Sequence, residues 1–360
     1  MRVLITGGAG FVGSNLAIML NNHHDWHILA LDNLKRRGSE INTRRLAANK
    51  INFVHGDVRN RDDLEAISPV DLIIDCAAEP SVRAGLDGDA RYLIDTNLIG
   101  TFNCLELARR HQAAILFLST SRVYSIPALR ALPLTEAGKR LTIADEMIGP
   151  GWSSLGISED FPTSVTRSLY GATKLAAELL IDEYRESYRI PAVVNRCGVI
   201  TGPWQMGKVD QGFFVLWAAR HLYDGPLAYQ GFGGRGVQVR DVLHIADLYD
   251  LVDYEIGNLE ALSGSTFNVG GGPDISVSLA ELTALCEERT SRSVVRSGDP
   301  DAHAQDIPYY ISDHRAVTAN TGWCPRRSVT EILDDVFGWL SEYREDLFPL
   351  LSGVPAGVSV

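Results

Sequence analysis

The chain has 360 residues, 45 % of them hydrophobic and 22 % charged, enough for one large or two moderate domains with cores of their own. Its 33 Lys and Arg against 45 Asp and Glu leave a net charge of −12, which argues against nucleic acid or an anionic membrane as a general partner. No apolar run reaches the roughly 18 residues of a transmembrane helix, no signal-peptide pattern opens the chain, and the 5 scattered cysteines show neither zinc spacing nor a disulfide framework, so a cytoplasmic protein without a bound metal is expected.

In chain order, the first apolar run predicts a strand over 3–6, followed by Thr-Gly-Gly-Ala-Gly-Phe-Val-Gly at 6–13. Gly7 suits the tight turn out of a strand, Gly10 a close approach of backbone to a pyrophosphate, and Gly13 a helix lying close to the sheet. The run from Phe11 predicts a helix over 14–20, whose first-turn N–H groups at Phe11 and Val12 face an anion. A second strand over 28–31 ends at Asp32, about 20 residues past the glycines, where such a unit places the acid for the adenosine ribose. Asp32 repels a 2′-phosphate, which favours NAD over NADP despite the basic cluster Lys35, Arg36 and Arg37.

Further strands are predicted over 51–55, 72–76, 115–119 and 192–196, with helices over 93–111 and 170–188 between them. This alternation predicts an α/β fold: a Rossmann-type, doubly wound parallel sheet over 1–196. After Arg196 the alternation weakens, and 197–350 predicts a smaller mixed α/β lobe for substrate, with a possible return to the first domain. Residues 351–360 read as a flexible tail. The polar stretch between Tyr124 and Leu169, rich in Pro and Gly, is long enough to predict a lid or binding loop. His244 is expected to be packed and hydrogen-bonded, and Trp204 and Phe213 are candidates to stack on a base.

Tyr170-Gly-Ala-Thr-Lys174 sets a tyrosine and a lysine four residues apart, on one helix face. An ammonium beside the phenol is expected to lower the tyrosine pKa and make it a usable base toward a sugar hydroxyl. Ser119-Thr-Ser-Arg-Val-Tyr124 follows a buried strand directly and so lies at a carboxyl end of the sheet, where ligands bind.

With TGGAGFVG at 6–13, Asp32-Asn33, Gly56-Asp57, Ala77-Ala78, Asn97, STSRVY at 119–124, YGATK at 170–174 and VRDVLH at 239–244, the chain resembles the extended short-chain dehydrogenase/reductases of the NAD-dependent epimerase/dehydratase family. The resemblance implies a catalytic triad of Thr120, Tyr170 and Lys174. It implies NAD held by Gly7, Gly10, Phe11, Val12, Asp32, Asn33, Arg36, Asp57, Val58, Ala77, Ala78 and Asn97, together with Tyr170 and Lys174. It implies a nucleoside-diphosphate hexose held by Glu79, Ser81, Ser121, Arg122, Val199, Lys208, Gln211, Gly212, Gln238 and Arg240, the last gripping the pyrophosphate.

Family members that eliminate water resemble Thr-Asp-Glu at the position of Thr120, whereas Ser121 and Arg122 follow it here, and an arginine cannot serve as that acid. Epimerisation or simple dehydrogenation remains. HGDVRN at 55–60, the long insert and Gln205 to Gly212 resemble the family group that inverts carbon 2 of a CDP-hexose, although Val199 replaces a frequent Asn and Ser125 a Gly. Inversion at carbon 4 of another nucleotide sugar, and a nucleotide-sugar-binding regulator without chemistry, stand as alternatives. The resemblance also implies a homodimer or higher homo-oligomer built on the helices near 93–111 and 170–188.

Overall fold

The computed structural model describes residues 1–86, 88–207 and 211–353. Its centre is a seven-stranded, wholly parallel sheet. Six strands are those expected: β1 (Arg2–Thr6), β2 (His27–Asp32), β3 (Asn52–His55), β4 (Leu72–Asp75), β5 (Ala114–Thr120) and β6 (Ala192–Cys197). The seventh, β7 (Thr266–Val269), comes from far along the chain and pairs with β6, giving the order β7-β6-β5-β4-β1-β2-β3. The order reverses between β1 and β4, and at such a switch point the strand ends open a crevice.

Every residue of β4 and β5 is buried, as a central parallel strand covered on both faces requires. Successive side chains of β1 point to opposite faces. Val3 and Ile5 join a core with Leu16 and Leu20 of α1 (Phe11–His23), while Leu4 joins another with Leu105 of α2 (Gly100–His111) and Ile181 of α3 (Leu169–Tyr188). The helix expected over 93–111 is interrupted. Arg91–Ile94 is α-helical and Asp95–Ile99 is a π-turn, ahead of α2. Such widened turns collect at functional sites. This one carries Asn97, fully buried, whose Oδ1 accepts the Glu79 N–H at 2.7 Å and whose Nδ2 donates to the Glu79 carbonyl at 3.1 Å.

The C-terminal lobe is mixed: Val239–His244 runs parallel to Val199–Thr201 and antiparallel to Ser276–Ser278. Helices Phe213–Tyr223, Leu279–Thr290 and Val329–Glu342 enclose its own core around Phe214, Leu282 and Val336. His244 is buried and caps helix Ile245–Gly257, its Nδ1 accepting the Ala246 N–H at 3.2 Å. Leu351 and Ser352 are buried at the end of helix Arg344–Leu351, so the chain is packed past the point where a tail was expected; 354–360 lie outside the described residues.

The insert, expected to be a lid or binding loop, is a small structure with a core. Helix Ile126–Arg130, the hairpin Leu134–Ala137 with Arg140–Ile143, and three two-residue strands pack Leu129, Ile143, Ile157 and Phe161 against Ile307, Tyr309 and Ile311. Gly156, at φ +118, lies so close to the 311–313 backbone that a Cβ there would stand 2.5 Å from the Ile311 carbonyl. No helix among the described residues is long and apolar enough to cross a membrane.

Candidate active site

A cavity of about 640 Å³ runs along the strand ends from the glycine turn after β1 to the C-terminal lobe. At its first end the walls are backbone. Gly7 has φ +61, and a Cβ on Gly13 would stand 2.3 Å from the Gly7 carbonyl, so both close approaches need glycine. Helix α1 begins at Phe11 with Gly10 as N-cap and no side-chain cap, which leaves first-turn amides to an anion. Asp32 lines the same end. It accepts N–H groups from Ala9 at 3.1 Å and Leu34 at 2.7 Å, and burial raises its pKa against those bonds. Asn33, Arg36, Val58, Ala77 and Ala78 complete this wall. A glycine cradle, uncapped amides and an acid at the end of β2 fit the phosphates and adenosine ribose of NAD.

Two residues expected to touch the cofactor stand behind the wall. Asp57 is gripped by Arg59 at 2.6 Å and by Asn33 Nδ2 at 2.9 Å. Burial pushes its pKa up, but those bonds outweigh it and hold the carboxyl at about 2. Asn97 ties the 77–80 loop to α3 through Glu79 and Thr173. Neither lines the cavity, and nor does Ser81, whose Oγ accepts the Arg83 N–H at 3.2 Å. Lys208 lies outside the described residues.

At the centre, Thr120 ends β5 and Tyr170 and Lys174 sit one turn apart on α3, whose start is capped by Ser168 Oγ accepting the Gly171 N–H at 3.1 Å. All three line the cavity. Gly171 lets α3 press onto the turn after Thr120: a Cβ there would stand 2.0 Å from the Arg122 carbonyl. Burial pushes the Tyr170 pKa up to about 12, against a hydrogen bond with Thr120 and the positive charge of Arg122. The net shift is therefore upward where a lowering was expected, because burial outweighs the hydrogen bond and the charge that oppose it. Lys174 is 1 % exposed, its Nζ lies 3.8 Å from the centre of the Phe117 ring, and burial lowers its pKa while Asp75 and Glu178 oppose that. Cys76 and Cys197 line the floor as thiols; burial pushes Cys197 up to about 12, so neither is a ready nucleophile.

The far end is built from side chains. Glu79, Ser121, Arg122, Val199, Gln211, Gly212, Gln238 and Arg240 all line the cavity. Arg122 Nη1 donates to the Gln305 carbonyl at 3.1 Å and Arg240 Nη2 to the Ile307 carbonyl at 2.7 Å. Burial brings Arg240 down to about 9, helped by Arg122 and resisted by Asp306. Gln238 Nε2 donates to the Gln230 carbonyl at 3.1 Å, while its buried Oε1 has no partner among the described residues, as a wall group awaiting a ligand donor would. Trp204 and Phe213 reach the wall, Trp204 with the Arg45 guanidinium 4.0 Å over its ring. No described residue between 123 and 169 lines the cavity, so the insert acts on the site only through what it supports.

Tyr92, His303 and Asp306 also line the cavity and were not singled out in the sequence, where no motif marks them. His303 and Asp306 sit on a loop that Arg130 of the insert holds, through the His303 carbonyl at 2.5 Å and the Asp306 carbonyl at 2.9 Å.

Residues 3–270 match the family model described as the NAD dependent epimerase/dehydratase family, and the chain belongs to that family of enzymes, with NAD as cofactor. Among its relatives, a CDP-paratose 2-epimerase of Salmonella typhi is 30 % identical over 351 residues, 95 % of this chain and 99 % of that one. A dTDP-glucose 4,6-dehydratase of Neisseria gonorrhoeae is 28 % identical over 361 residues, 94 % and 95 % of the two chains. In fold the chain is similar to the UDP-glucuronic acid 4-epimerase of Bacillus cereus, solved with UDP-glucuronic acid and NAD: TM-score 0.78, 23 % identity, 95 % of this chain and 99 % of that one.

Proposed function

We propose that this enzyme is a nucleotide-sugar epimerase that inverts carbon 2 of a CDP-hexose through a transient 2-keto sugar. The observation that carries this reading is Arg122, set in the cavity wall beside Thr120 and Tyr170 at the place where the family's dehydratases resemble one another in carrying an acid. A guanidinium has no proton to give at working pH, so elimination loses its donor there while proton and hydride exchange remain. The 30 % identity to a CDP-paratose 2-epimerase along nearly both whole chains supports the choice of carbon and base.

Held by the glycine turn, the first-turn amides of α1 and Asp32, NAD would supply the hydride exchange at the sugar carbon. Tyr170 accepts the hydroxyl proton and later gives it back, the ionised form that this step needs being favoured by the Thr120 hydrogen bond and the Arg122 charge against burial, with Thr120 orienting the reacting oxygen. Between the two transfers the keto sugar turns over while Arg240, with its planar fork, keeps the diphosphate fixed. Lys174 lies on the same wall, one helical turn from Tyr170.

All five cysteines are free, which supports a reducing, cytoplasmic setting. Phe102 on α2, with Leu179 and Tyr188 on α3, are exposed, and they support a homodimer joined through these helices. The test is incubation with CDP-paratose and CDP-tyvelose separately, followed by nuclear magnetic resonance of the sugar ring. Interconversion at carbon 2, lost in Tyr170→Phe, is the expected result. Conversion only of UDP-hexoses at carbon 4 would replace this reading.

A further inference from the structure

We propose that Arg122 is a second catalytic cation of this site, touching both the oxygen on the reacting sugar carbon and the nearer phosphate, and that it thereby confines the chemistry to the carbon beside the glycosyl phosphate. The proposal rests on the reading that a nucleotide sugar binds in this cavity.

The backbone of Arg122 is part of the catalytic constellation. Its N–H donates to Thr120 Oγ1 at 3.2 Å, and its carbonyl is the surface on which α3 packs at Gly171, the residue after Tyr170. The side chain leads from there toward Arg240. The two guanidiniums donate to the carbonyls of Gln305 and Ile307, two residues apart on one chain. Those two carbonyls are therefore at most about 7 Å apart. Arg122 thus starts at the base and ends beside the candidate pyrophosphate arginine.

The substrate's own geometry completes the argument. In a nucleotide sugar the oxygen on carbon 2 and the glycosyl phosphate are substituents of adjacent carbons. The oxygen on carbon 4 lies across the ring from that phosphate. A single planar fork with five donors can hold the first pair of oxygens together and cannot span the second.

Charge points the same way. Thr120, Cys197, Arg122 and Glu79 act on Tyr170, with Lys174 one helical turn away on the same wall, and Arg122 brings positive charge to it. The groups that face Arg122 are Tyr170 and Asp306, with Arg240 alongside. As the hydroxyl proton passes to Tyr170, negative charge grows on the sugar oxygen, and a guanidinium already in place needs no reorganisation to meet it.

The test uses the full-length, NAD-loaded protein with Arg122→Met and Arg122→Lys, and two readouts that do not depend on turnover. By calorimetry, Arg122→Met should weaken CDP about ten-fold and leave CMP unchanged, because only CDP carries the nearer phosphate. By nuclear magnetic resonance of 13Cζ-tyrosine, with Tyr170 assigned from Tyr170→Phe, its titration midpoint should rise by about one unit in Arg122→Met and return in Arg122→Lys. If CDP and CMP weaken equally, if neither weakens, or if the Tyr170 midpoint stays put, Arg122 only holds the 303–307 loop and the proposal falls. Should Arg122→Met fail to fold, Arg122→Gln serves for the same two measurements. Lack of turnover on every CDP-hexose would overturn the carbon-2 reading of the function yet leave both readouts legible.

Discussion

At one end of the cavity the wall is main chain: three glycines, the first-turn amides of α1 and an aspartate at the end of β2. At the other it is side chains from three separate places, Arg122 after β5, Arg240 on Val239–His244, and His303 and Asp306 on a loop whose carbonyls hold those arginines. A backbone cradle suits an invariant ligand that is never released during turnover. A wall of side chains can change its ligand by single substitutions while the sheet stays as it is. The two ends should therefore fail independently.

The largest expected effect lies where they meet. Tyr170→Phe removes the proposed base and should lower kcat about 10³-fold with NAD content unchanged, measured by sugar-ring resonances and by absorbance of the released cofactor. A variant that also lost its cofactor would show that the two ends are one unit. Next is Gly13→Ala, whose Cβ would stand 2.3 Å from the Gly7 carbonyl. Relieving that overlap must push α1 off the turn, and NAD affinity should fall about a hundredfold. Calorimetric binding of CDP should stay at the wild-type value, and a parallel loss of CDP would break the comparison.

The same contrast decides what was legible in the sequence. The glycine turn, Asp32 and the Tyr170–Lys174 pair announce themselves because local backbone and helix geometry demand those residues at those spacings. The central strands β4 and β5 are apolar runs because a parallel sheet buries both faces. Strand β7 carries Asn268 in its middle, which breaks the apolar pattern. Its place is fixed by tertiary bonds instead, Nδ2 donating to the Ile157 carbonyl at 2.8 Å and Oδ1 accepting the Tyr124 hydroxyl at 2.7 Å. His303 and Asp306 are polar loop residues without a motif, and only the fold brings them to the wall. The burial that raises Tyr170 is equally invisible in Tyr-x-x-x-Lys, which names a neighbour but not how far the pair is withdrawn from water.

A smaller effect tests the role left to the insert. Arg130 spans to the carbonyls of His303 and Asp306, so Arg130→Ala should loosen the substrate wall without touching a ligand. We expect KM to rise about five- to ten-fold, as the loss of hydrogen bonds from a charged group implies, with kcat and NAD content unchanged. An equal fall in kcat would mean that the loop also positions the reacting carbon.

The smallest effect probes an aromatic clasp at the cofactor end. Tyr92 lines the cavity with Lys35 Nζ 3.1 Å from its ring centre and the Arg59 guanidinium at 4.6 Å. Lys35 follows β2 and Arg59 follows β3, so the ring joins two strand-end loops beside the adenosine site. Both cations are exposed, which keeps each contact weak. Tyr92→Ala should then speed NAD release about five-fold, as roughly 1 kcal/mol of cation–π attraction implies, with CDP binding and the Tyr170 titration unmoved. Exchange of bound NAD against a fluorescent analogue measures the rate. Release as slow as in the wild type would mean that the backbone cradle alone retains the cofactor. The contrast between the two ends would then be sharper, with one side-chain clasp fewer at the glycine end to set beside the arginines at the other.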